Sequence, residues 1–357
     1  MRPELIDSQS FTIGKLPKTE LHVHLRGSIP HQTIQQLINK YSVERIWKKI
    51  PLQYKILFKS SPKIREFVKA KDPRKDVSKL YEFDSFDQFL IQYFFLGFFI
   101  RESQDFCLLV RDVVSSLKEQ NIIYAEITFT LREYSRLGLT FDDFSYSFDE
   151  ADKISGIKVR WLVDLVRDRG PRAALLLLKK VISWGDSRVI GITLGGSEHR
   201  FPARLFPKVY KVAKDAGLHL TIHAGEAAGP RSVWDAVKLL NVERIGHGVR
   251  SIEDPKLVEY LAENKIPLEV CVTSNLKTKI YPSYEAHPVR KLYKAGIPLT
   301  INSDDPTFFG SNLNNEYKIL KQIGFTNAEL RDLIKNGFRY AFLPEADKAL
   351  YLKAPKS

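Results

Sequence analysis

The pattern of hydrophobic and polar positions changes period along this chain, and the change outlines a fold. Residues 19–25 alternate as a strand does, until Gly27 interrupts them. From there to about residue 118 the spacing is helical. Within that stretch "FDSFDQFLIQYFFLGFFI", 83–100, sets Phe83, Phe86, Phe89 and Tyr93 three or four residues apart, a stripe along one helical face that serves either core packing or a ligand pocket. From 119 onward strand-like runs rich in Val, Ile and Leu follow stretches of helical period: "IIYAEITFT" (122–130), "IKVRWLVDLV" (157–166), "VIGITLGG" (189–196), "LHLTIHAG" (218–225), "RIGHGV" (244–249), "IPLEVCVTSN" (266–275) and "IPLTINSDD" (297–305). With the first strand they make eight β-segments. Apolar strands separated by helices imply parallel pairing, right-handed crossovers and a closed (β/α)8 TIM barrel, an α/β fold with extra helices after the first strand. A doubly wound open sheet is the alternative, but no GxGxxG follows the first strand. The expected organisation is a single barrel domain over residues 1–357, with a basic helical insertion at about 40–80.

Composition narrows the classes. No apolar run approaches the length of a membrane span, and residues 1–16 lack a basic segment followed by an apolar one and a small-residue cleavage site, so a cytoplasmic protein is expected. The two cysteines, Cys107 and Cys271, match no metal-finger or disulfide spacing and read as small core residues. The formal charge is +13, from 55 Lys+Arg against 42 Asp+Glu, and much of the excess sits at 40–75 with Tyr41, Trp47, Tyr54, Phe58 and Phe67 among the lysines. That pattern suits a nucleic-acid surface or an amphipathic insertion whose aromatics pack inward. No RNP-like, zinc-finger or helix-turn-helix pattern accompanies it, so nucleic acid is not an expected partner. The sequence carries no signal of oligomeric state.

Chemistry collects at strand ends. Of 8 histidines, His22, His24, His223 and His247 sit at or just past the C-terminal ends of expected strands, the face on which barrels assemble active sites. His22 and His24, two apart on a strand, share a face and can bind one metal ion together. "TIHAGEAAG" places Glu226 three residues after His223, "RIGHGV" sets His247 between two glycines, and "INSDDP" offers Asp304 and Asp305, which in an extended segment should point to different sides, one to metal and one to substrate. Each feature has a structural alternative: tight turns for the Gly-flanked histidines, a helix cap for the Asp pair, a solvated loop for Glu226. Their coincidence on one barrel face points to a metal site. Three imidazoles and a carboxylate suit Zn2+ or a similar divalent ion, which acidifies a bound water for hydrolysis.

"LPKTELHVHLRGSIP", "GITLGGSE", "TIHAGEAAGP", "RIGHGV", "LEVCVTSN" and "INSDDPTFFGSNLNNEY" together resemble the adenosine deaminase family of metal-dependent purine aminohydrolases, in family order, from about residue 17 to 340. The resemblance implies a small-molecule purine substrate and one zinc ion per chain held by His22, His24, His223 and Asp304. It further implies that Glu226 protonates the purine N1, that His247 orients and helps activate the attacking hydroxide, that Asp305 hydrogen-bonds N7, and that the Gly196 backbone N–H binds N3. In this family a helix after the first strand covers the pocket, which makes Phe86 and Phe89 candidates for a lid over the sugar, beside the core-packing alternative. The implied reaction converts adenosine, or a 5′-substituted adenosine, to the inosine-type product and ammonia. The runner-up substrate is a purine nucleotide, AMP or an N6-modified AMP.

The chain departs from the family's pattern at Arg26. Relatives that deaminate free adenosine usually carry Asp there, near the ribose hydroxyls. A cation reverses the local charge and leaves three readings: binding a phosphate or other acid at the 5′ end of the substrate, pairing with a nearby acid, or lying solvated on the rim. Thr128 and Leu131 replace an Arg and a Pro often found in relatives, and Arg167, Arg169 and Arg172 offer further cations to help Arg26 hold an anion.

Overall fold

The computed structural model describes residues 12–70 and 72–353, with side chains for all of these except 73–76, 86 and 353. Its strands are β1 (Lys18–His24), β2 (Ile122–Phe129), β3 (Lys158–Asp164), β4 (Val189–Thr193), β5 (His219–Leu220), β6 (His223–Ala224), β7 (Ile245–His247), β8 (Leu268–Val270) and β9 (Leu299–Ile301). Pairing runs in chain order, parallel throughout, β1 to β5 in one sheet and β6 to β9 in the other. β5 and β6 are two halves of one barrel strand, because Thr221 N–H bonds Ile192 O at 3.1 Å and His223 N–H bonds Leu194 O at 3.3 Å, both on the β4 side. The cylinder closes where Val23 bridges Asp304, with His24 N–H on Asp304 O at 2.8 Å and Asp304 N–H on His22 O at 3.0 Å. The fold is the (β/α)8 barrel.

The sequence pattern overextends several strands at their C-terminal ends. The run at 266–275 stops being strand at Val270, and Val272–Lys277 is a helix. The run at 297–305 is strand only over Leu299–Ile301. These ends leave the ladder to line the barrel mouth, so their apolar residues are buried without strand pairing, and periodicity cannot separate the two cases. Phe83 likewise precedes its helix, which begins at Phe86 after the Ser85 cap and runs to Leu96.

The basic insertion folds as helices Val43–Lys49, Leu52–Lys59 and Pro62–Lys69, followed by a 3-10 segment Pro73–Tyr81. Ile46, Phe58, Ile64 and Phe67 are buried against the body while Lys48, Lys49, Lys55 and Lys59 are not, which is the amphipathic arrangement. Each buried ring or aliphatic side chain contributes about 1.5–3 kcal/mol to holding these helices down. Cys107 and Cys271 are free and buried. Among the described residues no helix is long and apolar enough to cross a membrane.

Candidate active site

His22 and His24 leave the end of β1 on one face, and β6, β7 and the turn after β9 bring His223, His247 and Asp304 to them. Ring nitrogens of His22, His223 and His247 and a carboxylate oxygen of Asp304 lie within 4.8 Å of one another, as do those of His24, Asp304 and Asp305. His24 Nε2 is 3.1 Å from His223 Nε2 and 3.3 Å from Asp304 Oδ1, and His22 Nε2 is 3.7 Å from that oxygen. Ligands about 2.0–2.1 Å from a tetrahedral zinc ion sit about 3.3 Å apart, so these spacings fit a metal. The donor set fits as well. His22 Nε2 is buried without a hydrogen-bond partner, and two imidazole nitrogens 3.1 Å apart repel through their lone pairs unless a proton or cation lies between them. Burial holds His24 down to about 4 and His223 well below the usual imidazole range, which keeps both neutral with a lone pair to give.

Asp304 and Asp305 do not diverge as an extended pair would. Asp304 has φ 62°, the left-handed region, and this turn brings both carboxyls to the same cavity. His247, at φ 60°, stores strain of the same kind. Asp305 occupies the cap position of helix Pro306–Phe309 but makes no cap bond, so its carboxyl stays available to the cavity.

Buried partners, absent from the sequence reading, hold these groups. Glu269 takes His22 Nδ1 at 2.7 Å and is itself bound by Arg244 Nε at 2.6 Å, with Arg244 also paired to Glu126. Ser274 Oγ donates to Asp304 Oδ2 at 2.6 Å. Glu198, in the "GGSE" motif, accepts from the backbone N–H groups of Gly225, Glu226 and Ala228 at 2.8, 3.1 and 2.8 Å and so fixes the turn carrying Glu226. A third chain sets the tautomer of His247. Val289 N–H can only donate, so His287 Nδ1 accepts from it at 3.2 Å. Burial keeps His287 neutral, its pKa down to about 3, so its Nε2–H donates to Asn275 Oδ1 at 3.1 Å. The Asn275 amide nitrogen therefore faces His247 Nδ1, 3.3 Å away, and donates to it. The proton of neutral His247 then sits on Nε2, aimed at Glu226 Oε2 (3.5 Å) and Asp304 Oδ2 (3.8 Å).

The cavity above this floor measures about 230 Å³. His24, His223, His247, Glu226, Asp304 and Asp305 line it, with Gly196, Phe89, Tyr93 and Phe94. Burial and the Asp304 charge push the Glu226 carboxyl well above its usual range, and burial with the same charge does so for Asp305. Both shifts favour the protonated form of the carboxyl, the form that can donate. Gly196, at φ 102°, packs so near Asp168 that a Cβ would lie 1.9 Å from its Oδ2, so only glycine fits. Phe89 is buried, its ring 5.3 Å from Phe308 and 5.2 Å from Phe309, so it lines the cavity and packs in the core at once. The Phe86 side chain lies outside the described residues.

Arg26 is 3% exposed and ion-paired with Glu133, two positions after Leu131 and not among the expected site residues. Its guanidinium lies over the rings of Tyr93 and Tyr134 at 5.0 and 5.1 Å. A Cβ at Gly97 would come within 2.8 Å of the guanidinium carbon, so glycine makes room for it. Burial opposes the charge, but Glu133 and the two tyrosines outweigh it and raise the Arg26 pKa further. Of the three readings of Arg26, the geometry matches the pairing one. The suggested helpers do not join it. Arg167 is buried and donates to the carbonyls of Leu194 and His223, while Arg169 and Arg172 are exposed.

Comparison with known proteins gives the chain its relatives. The profile of the family described as adenosine deaminase matches residues 17–354. An aminodeoxyfutalosine deaminase from Streptomyces coelicolor is 35% identical over 353 residues, covering 96% of this chain and 84% of that protein. The crystal structure of an adenine deaminase from Arthrobacter aurescens superposes with a TM-score of 0.82 at 25% identity, over 94% of this chain and 97% of that one. An amidohydrolase from Burkholderia ambifaria, solved with bound Zn, gives 0.81 at 26% identity over 96% and 90% of the two chains.

Proposed function

This chain belongs to the adenosine deaminase family and is a hydrolytic deaminase of adenine-type purines, and from that premise we propose that it uses one zinc ion to convert adenosine, or an adenosine substituted at the 5′ carbon, to the 6-oxo product and ammonia. The observation that carries this reading is a single cavity lined by the histidine–aspartate cluster together with Glu226, Asp305 and Gly196; in our reading the two carboxyls and the Gly196 N–H act there as three hydrogen-bond donors. A purine presents three acceptors, N1, N7 and N3.

His22, His24, His223 and Asp304 would hold the metal. His247 stands outside the ligand set because its cavity-facing nitrogen carries the proton fixed by Asn275. A bound divalent ion supplies an acidified water, with a pKa lowered to about 7, as nucleophile at the amino-bearing carbon. Glu226 gives its proton to N1 as the ring accepts the attacking oxygen, which makes C6 electrophilic without leaving charge on the ring. The Nε2–H of His247 orients that oxygen. Asp305 donates to N7 and the Gly196 N–H to N3, so the ring is held in plane; the proton of the added hydroxyl passes to the amino nitrogen, ammonia leaves as C6 returns to a carbonyl, and the other proton of the water restores the Glu226 carboxyl. The nucleotide alternative places a phosphate on Arg26, whose charge is already taken by Glu133, and this favours the nucleoside.

Ammonia release by the zinc-loaded protein tests the reading with adenosine, 2′-deoxyadenosine, adenine, AMP and 5′-methylthioadenosine. Adenosine or its 5′-thioether should be the best substrate, and Glu226→Gln should lower kcat by about 10²–10⁴-fold with zinc content unchanged. Preference for free adenine would remove the sugar from the assignment, and no ammonia from any of the five would overturn it.

A further inference from the structure

The outer face of the basic insertion carries an apolar ridge that the reaction above leaves unused. In helix Leu52–Lys59, Leu52 is 72%, Ile56 66% and Leu57 40% exposed, while Phe58, on the other side of the helix, is fully buried. Leu52 and Ile56 stand one turn apart and form a ridge that points away from the body, with Leu57 beside it. Elsewhere among the described residues the exposed large apolar side chains stand singly on their segments or, like Leu176 and Ile182, more than a turn apart, and such scatter needs no explanation. The ridge is set in positive charge. From 43 to 69 the insertion has eight lysines and arginines against two glutamates. Glu44 is already paired with Lys48 at 2.6 Å, and Lys63 turns to Glu82 at 2.7 Å. Arg45, Lys59, Arg65 and Lys69 are exposed, and among the described residues they have no acidic partner. Lys55 and Lys59 run alongside the ridge one turn apart, and Lys55 donates to Lys48 O at 3.1 Å, which ties the helix to the end of the one before it.

We propose that this face docks the protein reversibly on an anionic lipid surface, the ridge entering the headgroup layer and the surrounding cations meeting lipid phosphates. An in-plane helix binds a bilayer through exactly this pair of features, an apolar strip to bury and a basic surround to be attracted. Neither feature suffices alone, since three aliphatic side chains bury little area and bare cations are screened by salt. Other occupants fit less well. A nucleic acid would satisfy the cations but has no use for branched aliphatics, and the rings of Phe58 and Phe67, which could stack on bases, are buried. A second copy of the chain would bring the same positive charge to the contact and be repelled. A stable protein partner covers about 20–30 residues a side, far more than one helix of eight residues offers. The contact is peripheral: that helix is about 12 Å long, and among the described residues no helix can cross a membrane.

Co-sedimentation of the zinc-loaded, full-length chain with vesicles tests this. The vesicles are phosphatidylcholine alone and phosphatidylcholine mixed equally with phosphatidylglycerol. Binding to the mixed vesicles should be about tenfold or more tighter than to the neutral ones, and should fade as salt rises from about 0.1 M to about 1 M. Leu52→Ser/Ile56→Ser should weaken binding to the mixed vesicles by about tenfold or more with thermal unfolding unchanged, because both side chains stand largely in water. Depth is read separately. Cys107 and Cys271 are buried, so Ile56→Cys takes a polarity-sensitive thiol dye at that position alone, and its emission should move to the blue on mixed vesicles. Equal binding to both vesicles, or binding to neither, would overturn the proposal. So would a dye that reports water while the protein is bound, or a serine variant that binds like wild type. Retention on duplex RNA or DNA that is tighter than on mixed vesicles, and untouched by the serine pair, would overturn it in favour of a nucleic-acid surface.

Discussion

The two ends of the purine cavity are built by different rules. At the barrel end nearly every chemical group is gripped by a second buried group: His22 by Glu269 and Arg244, Asp304 by Ser274, the turn of Glu226 by Glu198, His247 by Asn275 and His287. At the helical end one ion pair, Arg26 with Glu133, and stacked rings carry the structure, and three further cations have no acidic partner among the described residues. A reaction tolerates little misplacement of its donors, so its groups are over-determined. Lys49 and Arg136 at the helical end are instead long, exposed side chains. Chemistry and specificity are thereby separable, and substitutions at the two ends should fail in different ways.

The largest failure should follow from taking a ligand at the barrel end. His24→Ala is expected to lose its metal and its turnover together, because a carboxylate and two imidazoles no longer close a four-donor site. Metal analysis of the purified variant decides it: full zinc occupancy would remove His24 from the ligand set. One step out, the effect should shrink. Asn275→Ala leaves His247 Nδ1 without its donor, so the ring can take either tautomer and aim a lone pair instead of a proton at the attacking oxygen. A loss of about 10–100-fold in kcat is expected, with metal content and KM little changed, as for other groups that orient a metal site from behind. Wild-type kcat in this variant would show that the Val289–His287–Asn275 chain does not set the tautomer.

The same contrast explains what the sequence could show. Strand period and the βα repeat suffice to put His22, His24, His223, His247 and Asp304 at one barrel mouth, because a residue at a strand's C-terminal end has little choice of direction. Glu269, Asn275 and His287 were invisible for the opposite reason: each acts through a partner on another element, and no local spacing encodes that pairing. Asp304 and Asp305 were placed at the mouth, but that both carboxyls face one cavity was not legible, since an aspartate gives no sign in sequence that it will adopt a left-handed φ. Arg26 was visible as an anomaly, yet its partner Glu133 lies 107 positions on, in a helix whose register no pattern tied to β1. Rim residues are legible as a charge excess and become a cavity only once the insertion is folded against the body.

The smallest of these effects belongs at the partition between the ends. Arg26→Lys keeps the positive charge beside Glu133 but gives up the planar fork and its contact with Tyr93 and Tyr134, and an ammonium is costlier to bury than a guanidinium. The stacking contributes about 0.5–2 kcal/mol, so stability should fall by about that much. Arg26→Ala is the reference: it leaves Glu133 uncompensated, and because that carboxylate is 20% exposed, the cost should lie at the low end of the about 3–5 kcal/mol of a broken buried pair. If Arg26 only positions Glu133, denaturant unfolding should rank wild type above Lys above Ala, while the preference for adenosine over AMP keeps its sign in all three. A selective loss of AMP binding in the alanine variant, which widens the preference for adenosine without loss of stability, would mean that the guanidinium reads the substrate directly, and the partition would then belong to the specificity machinery of the helical end.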